Sequence, residues 1–197
     1  MKNLVEVLRH EKVVAIIRTD SAESAVSIAA AARSGGVGLL EVTLNTPGAL
    51  SAIADIARTN PMVGAGTVLT AADVRAAVSA GAAFLVTPAV DPEVLAEARR
   101  HEVDVLCGAA TPTEILAAWR LGAAAVKVFP AHSPDHVRTL LGPLDDIPLV
   151  AVGGVRAESA ASYLEAGAIA VGVGGPFSAA GPEVEAAARR LTSELAE

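Results

Sequence analysis

The chain has 197 residues, 52% of them hydrophobic but only 3% aromatic, and carries a formal net charge of −7 at pH 7. That length suits one domain able to bury most of its apolar surface, and a core short of rings must be built from Ala, Val, Leu and Ile, as in layered α/β proteins with buried parallel strands. The acidic balance and missing rings argue against a nucleic-acid partner, and no apolar run reaches the roughly 20 residues of a membrane span.

In chain order, a short N-terminal helix precedes eight strand candidates: Val13–Arg18, Leu39–Leu44, Met62–Val68, Phe84–Pro88, Val103–Gly108, Ala124–Phe129, Pro148–Gly153 and Ala168–Gly174. Between them lie Ala-rich stretches of roughly ten to fifteen residues, the length a parallel crossover requires. Helix starts are legible at Ser21, at Thr70, and at Thr111-Pro112-Thr113-Glu114, a capping box with proline at the first helical position. Gly36, Gly81, Gly122 and Gly167 each stand where a helix should close in a left-handed cap, and their spacings of 45, 41 and 45 residues repeat every two βα units. No linker or charge block interrupts residues 1–197, which read as a single domain.

An open doubly wound sheet and a closed (β/α)8 barrel both fit eight βα units. A nucleotide-binding open sheet should carry glycines after its first strand, where this chain has Arg18-Thr19-Asp20. The glycines cluster instead after the seventh and eighth strands, at Gly153-Gly154 and Gly172-Val173-Gly174-Gly175, where barrels frequently build phosphate sites. The expectation is therefore a TIM barrel, although a compact one against the typical ~250 residues.

Three lysines occur in the chain. Lys2 and Lys12 read as solvated charges near the N-terminus. Lys127 lies inside the apolar run Ala123–Pro130, where facing the helices would bury it without a partner. Facing the barrel interior near the mouth, it would be desolvated, lowered in pKa and able to attack a carbonyl. Period two places Leu39, Glu41, Thr43 and Asn45 on one side of the second strand, so three polar groups should converge inside, with Glu41 a candidate proton shuttle. Gly64-Ala65-Gly66-Thr67 offers close backbone approach and a hydroxyl, and Arg18 would suit an anion at a barrel mouth. His10, His101, His132 and His136 show no metal-ligand spacing and read as surface residues. Cys107, the sole cysteine, reads as a packed thiol that allows no internal disulfide and no thiolate metal site. The start, Met1-Lys2-Asn3-Leu4-Val5-Glu6, lacks a signal-peptide pattern, which makes a cytoplasmic setting the expectation.

Six segments in order, Val14–Arg18, Glu41–Leu44, Gly64–Val68, Val86–Pro88, Lys127–Ala131 and Val152–Val155, resemble signatures of the 2-keto-3-deoxy-6-phosphogluconate/galactonate aldolases. The resemblance implies a barrel, usually a homotrimer, that needs no metal or organic cofactor and cleaves a phosphorylated keto acid to pyruvate and D-glyceraldehyde 3-phosphate. By resemblance, Lys127 is the Schiff-base lysine, Glu41 the general acid/base and Thr67 a contact to the pyruvate carboxylate. Pro88 and Phe129 would line the pyruvyl pocket, and Gly153 and Gly154 would bind phosphate through their amides, with Gly174 and Gly175 beside them. Asn45 stands where gluconate-type enzymes commonly carry arginine and, with Arg18, resembles the galactonate branch. Gly175 stands where the family often has a phosphate-contacting serine. Whether 4-hydroxy-2-oxoglutarate is also cleaved stays open. Two other readings are a non-covalent barrel isomerase or synthase on a phosphorylated substrate, which leaves the buried lysine without a task, and a barrel serving as an oligomeric assembly unit through its Ala-rich helices.

Overall fold

The computed structural model describes residues 3–195. Eight parallel strands, β1 (Val13–Ile17), β2 (Leu40–Thr43), β3 (Val63–Gly66), β4 (Phe84–Val86), β5 (Asp104–Ala109), β6 (Ala125–Val128), β7 (Leu149–Val152) and β8 (Ala170–Val173), close into a barrel in sequence order. Closure comes from β1 pairing with β8, Val13 opposite Val171 and Ala15 opposite Val173. The strands fall where the β-branched runs placed them; seven are shorter by a residue or more at one or both ends, because the flanking residues turn into the connecting loops, and β5 keeps its length but is shifted on by one residue. Among the described residues nine α-helices surround or plug the barrel: α1 (Leu4–Glu11), α2 (Ala22–Ser34), α3 (Ala49–Ala57), α4 (Ala71–Ser79), α5 (Pro92–Arg100), α6 (Pro112–Arg120), α7 (Pro134–Leu141), α8 (Ala157–Glu165) and α9 (Glu183–Glu194).

Local chemistry explains the punctuation. Ser21 accepts the Ser24 amide at the start of α2, and Thr70 and Thr111 form reciprocal capping boxes with Asp73 and Glu114. Gly36, Gly81, Gly122 and Gly167 all have φ between 92° and 104°, a backbone region that a side chain disfavours, so each helix ends at the residue type able to end it.

Alternation along the strands sorts the core in two. Leu40, Val42, Val126, Val128 and Cys107 face the helices in the larger apolar cluster, which confirms Cys107 as a packed thiol. Val14, Leu39, Phe84, Leu106, Ala125 and Val150 fill the barrel itself. Leu4 and Leu8 of α1 join that inner cluster, so the N-terminal helix stoppers one end of the barrel, held there in part by the Leu4 amide on the Asp104 carboxylate. Room for the Phe84 ring comes from Gly64, where a Cβ would stand 2.5 Å from the ring.

Several expectations need amending. Lys2 lies outside the described residues. Lys12 is not simply solvated: it takes φ 59° at the C-cap of α1, and its Nζ donates to the Leu195 carbonyl at 2.6 Å, tying the first helix to the last. His132 is exposed, but His136 is only half so, and its Nε2 is buried without a hydrogen-bond partner. In the Ala-rich α2, Ala29 and Ala32 are buried within this chain and Ala30 is exposed.

Phe84 is fully buried at the centre of the inner cluster. Phe84→Ala should lower the unfolding free energy by about 3–5 kcal/mol in a denaturant titration, because the barrel wall cannot collapse into the void. A loss below about 1 kcal/mol would mean that the interior is not packed in this way.

Candidate active site

Above the inner cluster, at the C-terminal ends of the strands, the barrel opens into a cavity of about 530 Å³. Its floor and walls include Glu41 from β2, Lys127 from β6, Thr67 and Pro88 after β3 and β4, and Arg18 after β1. Phe129 follows β6 and is 43% exposed, with its ring centroid 5.3 Å from Lys127 Nζ. Thr67 has φ 58°, uncommon for a β-branched residue and of the kind that collects at ligand sites. Gly153 and Gly154, with φ 93° and 80°, and Gly174 and Gly175 form the opposite wall. Among the described residues, none of these four glycine amides donates to a protein acceptor.

The two ionisable groups at the base are almost fully enclosed: Lys127 is 7% exposed and Glu41 3%. Burial holds the Lys127 pKa below its ordinary value; Glu41 opposes that shift, and the charge of Arg18 reinforces it. Burial likewise raises Glu41, against the pull of Lys127 and Arg18. Among the described residues no carboxylate forms an ion pair with Lys127. Both groups are thus biased toward their uncharged forms, an amine across the cavity from a proton-carrying carboxyl. Such an arrangement suits attack on a carbonyl followed by proton shuttling. Among the described residues no cluster of three or more His, Cys, Asp or Glu side chains could hold a metal.

The polar face expected on β2 is smaller than period two suggested. The strand ends at Thr43, whose hydroxyl donates to the Ile17 carbonyl at 3.3 Å, and Asn45 sits exposed on the following turn, outside the cavity lining. Of the three, only Glu41 lines the cavity: Thr43, the last residue of the ladder, spends its hydroxyl on Ile17, and Asn45 lies beyond the ladder where alternation ceases. Gly66 also plays another part than ligand approach: a Cβ there would lie 1.9 Å from Glu41 Oε1, so the missing side chain is the space that the carboxyl occupies. Residues not anticipated are Ile16 and Val152, which shape the apolar side of the cavity, and Arg156 and Ser178 at its rim; Gly172, from the glycine cluster expected here, also lines it. Arg156 had a signal in the sequence, an arginine directly after Gly153-Gly154-Val155 where a helix should begin.

A closed parallel barrel with a buried lysine and carboxyl at its mouth has the form of an enzyme active site, and the comparisons give the family. The family described as KDPG and KHG aldolase matches residues 4–188, and the chain belongs to it. It is 34% identical over 186 residues to the 2-dehydro-3-deoxy-6-phosphogalactonate aldolase of Escherichia coli, covering 91% of each chain. The crystal structure of the 2-keto-3-deoxy-6-phosphogluconate aldolase of Zymomonas mobilis with 3-phosphoglycerate superposes with a TM-score of 0.89 at 29% identity, over 98% of this chain and 96% of that one. The KDPG aldolase of Legionella pneumophila, with pyruvate captured as a covalent carbinolamine, superposes with a TM-score of 0.80 at 27% identity, over 96% and 95%. The chain is an aldolase enzyme.

Two outcomes follow from the geometry. Gly66→Ala must displace the Glu41 carboxyl, and a misplacement of about 1 Å should lower kcat about 10²-fold with the fold retained by circular dichroism. The raised Glu41 pKa means that the folded state holds this proton more tightly than the unfolded chain does. Its contribution is full below the ordinary value of 4.5 and is lost as pH rises through the folded value. Urea titrations from pH 4 upward should show wild type losing stability relative to Glu41→Gln over that window; parallel curves would show that Glu41 is not desolvated.

Proposed function

We propose that this aldolase cleaves 2-dehydro-3-deoxy-6-phosphogluconate or its galactonate epimer to pyruvate and D-glyceraldehyde 3-phosphate through a Schiff base on Lys127. The observation that carries the reading is the desolvated, unpaired amine of Lys127 facing Glu41 across the floor of the cavity. The relatives named for the gluconate and galactonate substrates support both epimers, and the carbinolamine captured in the Legionella enzyme supports covalent chemistry.

Neutral Lys127 Nζ attacks the C2 ketone, and the carbinolamine hydroxyl leaves as water with the proton of Glu41, giving an iminium and a Glu41 carboxylate. That carboxylate accepts the C4 hydroxyl proton as the C3–C4 bond breaks; the bonding pair moves toward the iminium nitrogen, leaving an enamine and a free aldehyde. Glu41 returns the proton to the enamine at C3, and water hydrolyses the resulting iminium to pyruvate and the free amine, the released proton restoring the neutral Glu41 carboxyl. Thr67 and the neighbouring Gly66–Thr67 backbone suit the substrate carboxylate, Pro88 and Phe129 enclose the pyruvyl methyl, and the glycine amides of the opposite wall suit the phosphate. Asn45, on its exposed turn, would act on the sugar chain only if the β2–α3 loop moves inward. We also read residues 1–197 as one domain, since α1 plugs the barrel and α9 packs on α2. A homotrimer is the assembly that the family resemblance supports, and light scattering would read its mass.

Pyruvate with borohydride should add a permanent mass to wild type, localised to Lys127 by peptide mapping, and Lys127→Met should take none. Glu41→Gln should still trap pyruvate while turnover falls roughly 10²- to 10⁴-fold. Trapping at another residue, or none, would refute the Schiff-base reading in favour of non-covalent chemistry.

A further inference from the structure

We propose that Arg156 is a residue by which this enzyme recognises the phosphate of its substrate, from its place in the cavity lining beside Gly153 and Gly154. The inference rests on the aldolase reading above and adds to it a residue that determines specificity.

Arg156 is an anomaly of local structure. It occupies the N-cap of α8, and six other helices of the chain are capped there by the side chains of Asn3, Ser21, Thr70, Asp91, Thr111 and Ser133. A guanidinium has no acceptor to offer the first amides of a helix, and its positive charge faces the positive end of the helix dipole. Ser159 does part of the capping in its place: its hydroxyl accepts the Arg156 amide at 3.1 Å and donates to the Arg156 carbonyl at 3.2 Å. Helix formation therefore does not account for an arginine here.

The cavity does. Arg156 lines it beside Gly153 and Gly154, and among the described residues its guanidinium bonds to no carboxylate and no carbonyl. The surrounding wall is shaped for an anion: the four glycine amides are unspent, and a Cβ built on Gly154 or Gly175 would meet nothing within 4 Å. Ser178, also in the lining, donates its hydroxyl proton to the Gly175 carbonyl at 2.7 Å. Arg18, the other guanidinium of the lining, lies close enough to Lys127 and Glu41 for its charge to act on both, and on its other side it borders Ser178. Arg156 follows the Gly153–Gly154 wall directly in the chain, and its planar fork matches two phosphate oxygens.

The test compares kcat/KM for the 6-phosphorylated keto acid with that for its unphosphorylated analogue in wild type, Arg156→Ala, Arg156→Lys and Arg156→Thr. Wild type should prefer the phosphorylated substrate, and Arg156→Ala should lower that preference about 10- to 100-fold, the range for a lost charge-assisted contact. Arg156→Thr improves the helix cap while removing the charge, so it should show the same loss; Arg156→Lys should recover part of it. A preference unchanged in the Ala and Thr variants, or absent from wild type, would overturn the assignment. Pyruvate trapping at Lys127 is the separate control: if wild type fails it, the aldolase reading fails, whatever Arg156 does to the ratio.

Discussion

The structure turns on burying an amine and a carboxyl in the same apolar tube without letting them pair. Each group taken out of water loses hydration that its neighbours do not fully replace, and the lower-energy response is to move toward its neutral form. On the proposed reading of the site, this makes Lys127 a nucleophile and Glu41 a proton donor and acceptor. A close ion pair would have restored both charges and removed the chemistry. The separation is therefore part of the function, and the barrel maintains it by placing the two residues on β2 and β6, far apart around the ring.

Around that pair the interior is graded along its axis. Leu4 and Leu8 close one end, and a layer centred on Phe84 and Leu106 fills the middle. The opposite end is left partly unfilled, where glycine replaces bulk on three inward-facing strand positions, at Gly66, Gly108 and Gly172. Each of these vacancies is filled by something else: the Glu41 carboxyl, the backbone at Thr87–Pro88, or the side chains of Ile16 and Val152. Small residues here serve side chains and loops from neighbouring strands more than they serve a ligand directly. Stability is concentrated below the site and chemistry above it, as is usual for barrels of this kind.

The cavity itself has two chemically distinct ends. One gathers Lys127, Glu41, Thr67 and Arg18 and suits a keto acid head. The other gathers glycine amides and suits a terminal anion, with Arg156 at its rim. This division matches a substrate that reacts at one terminus and is held by the other, so that binding energy remote from the reacting carbons can position the ketone for attack.

Much of this was determined by the sequence alone. Eight β-branched runs, the capping residues and four glycines at helix ends dictate the βα alternation, because helix termini and buried strands are local matters of hydrogen bonding and conformational preference. Lys127 and Glu41 were legible as well, since a charge inside an apolar strand has few tolerable explanations. Other features were decided only by the tertiary structure. That Asn45 leaves the barrel while Glu41 enters it depends on where the β2 ladder stops, which is set by pairing with β1 and β3. That Gly66 makes room for Glu41, that Lys12 reaches Leu195, and that Arg156 meets the glycine wall are contacts between segments distant in the chain. Such contacts follow from closing the barrel, and no window of neighbouring residues contains the information that fixes them.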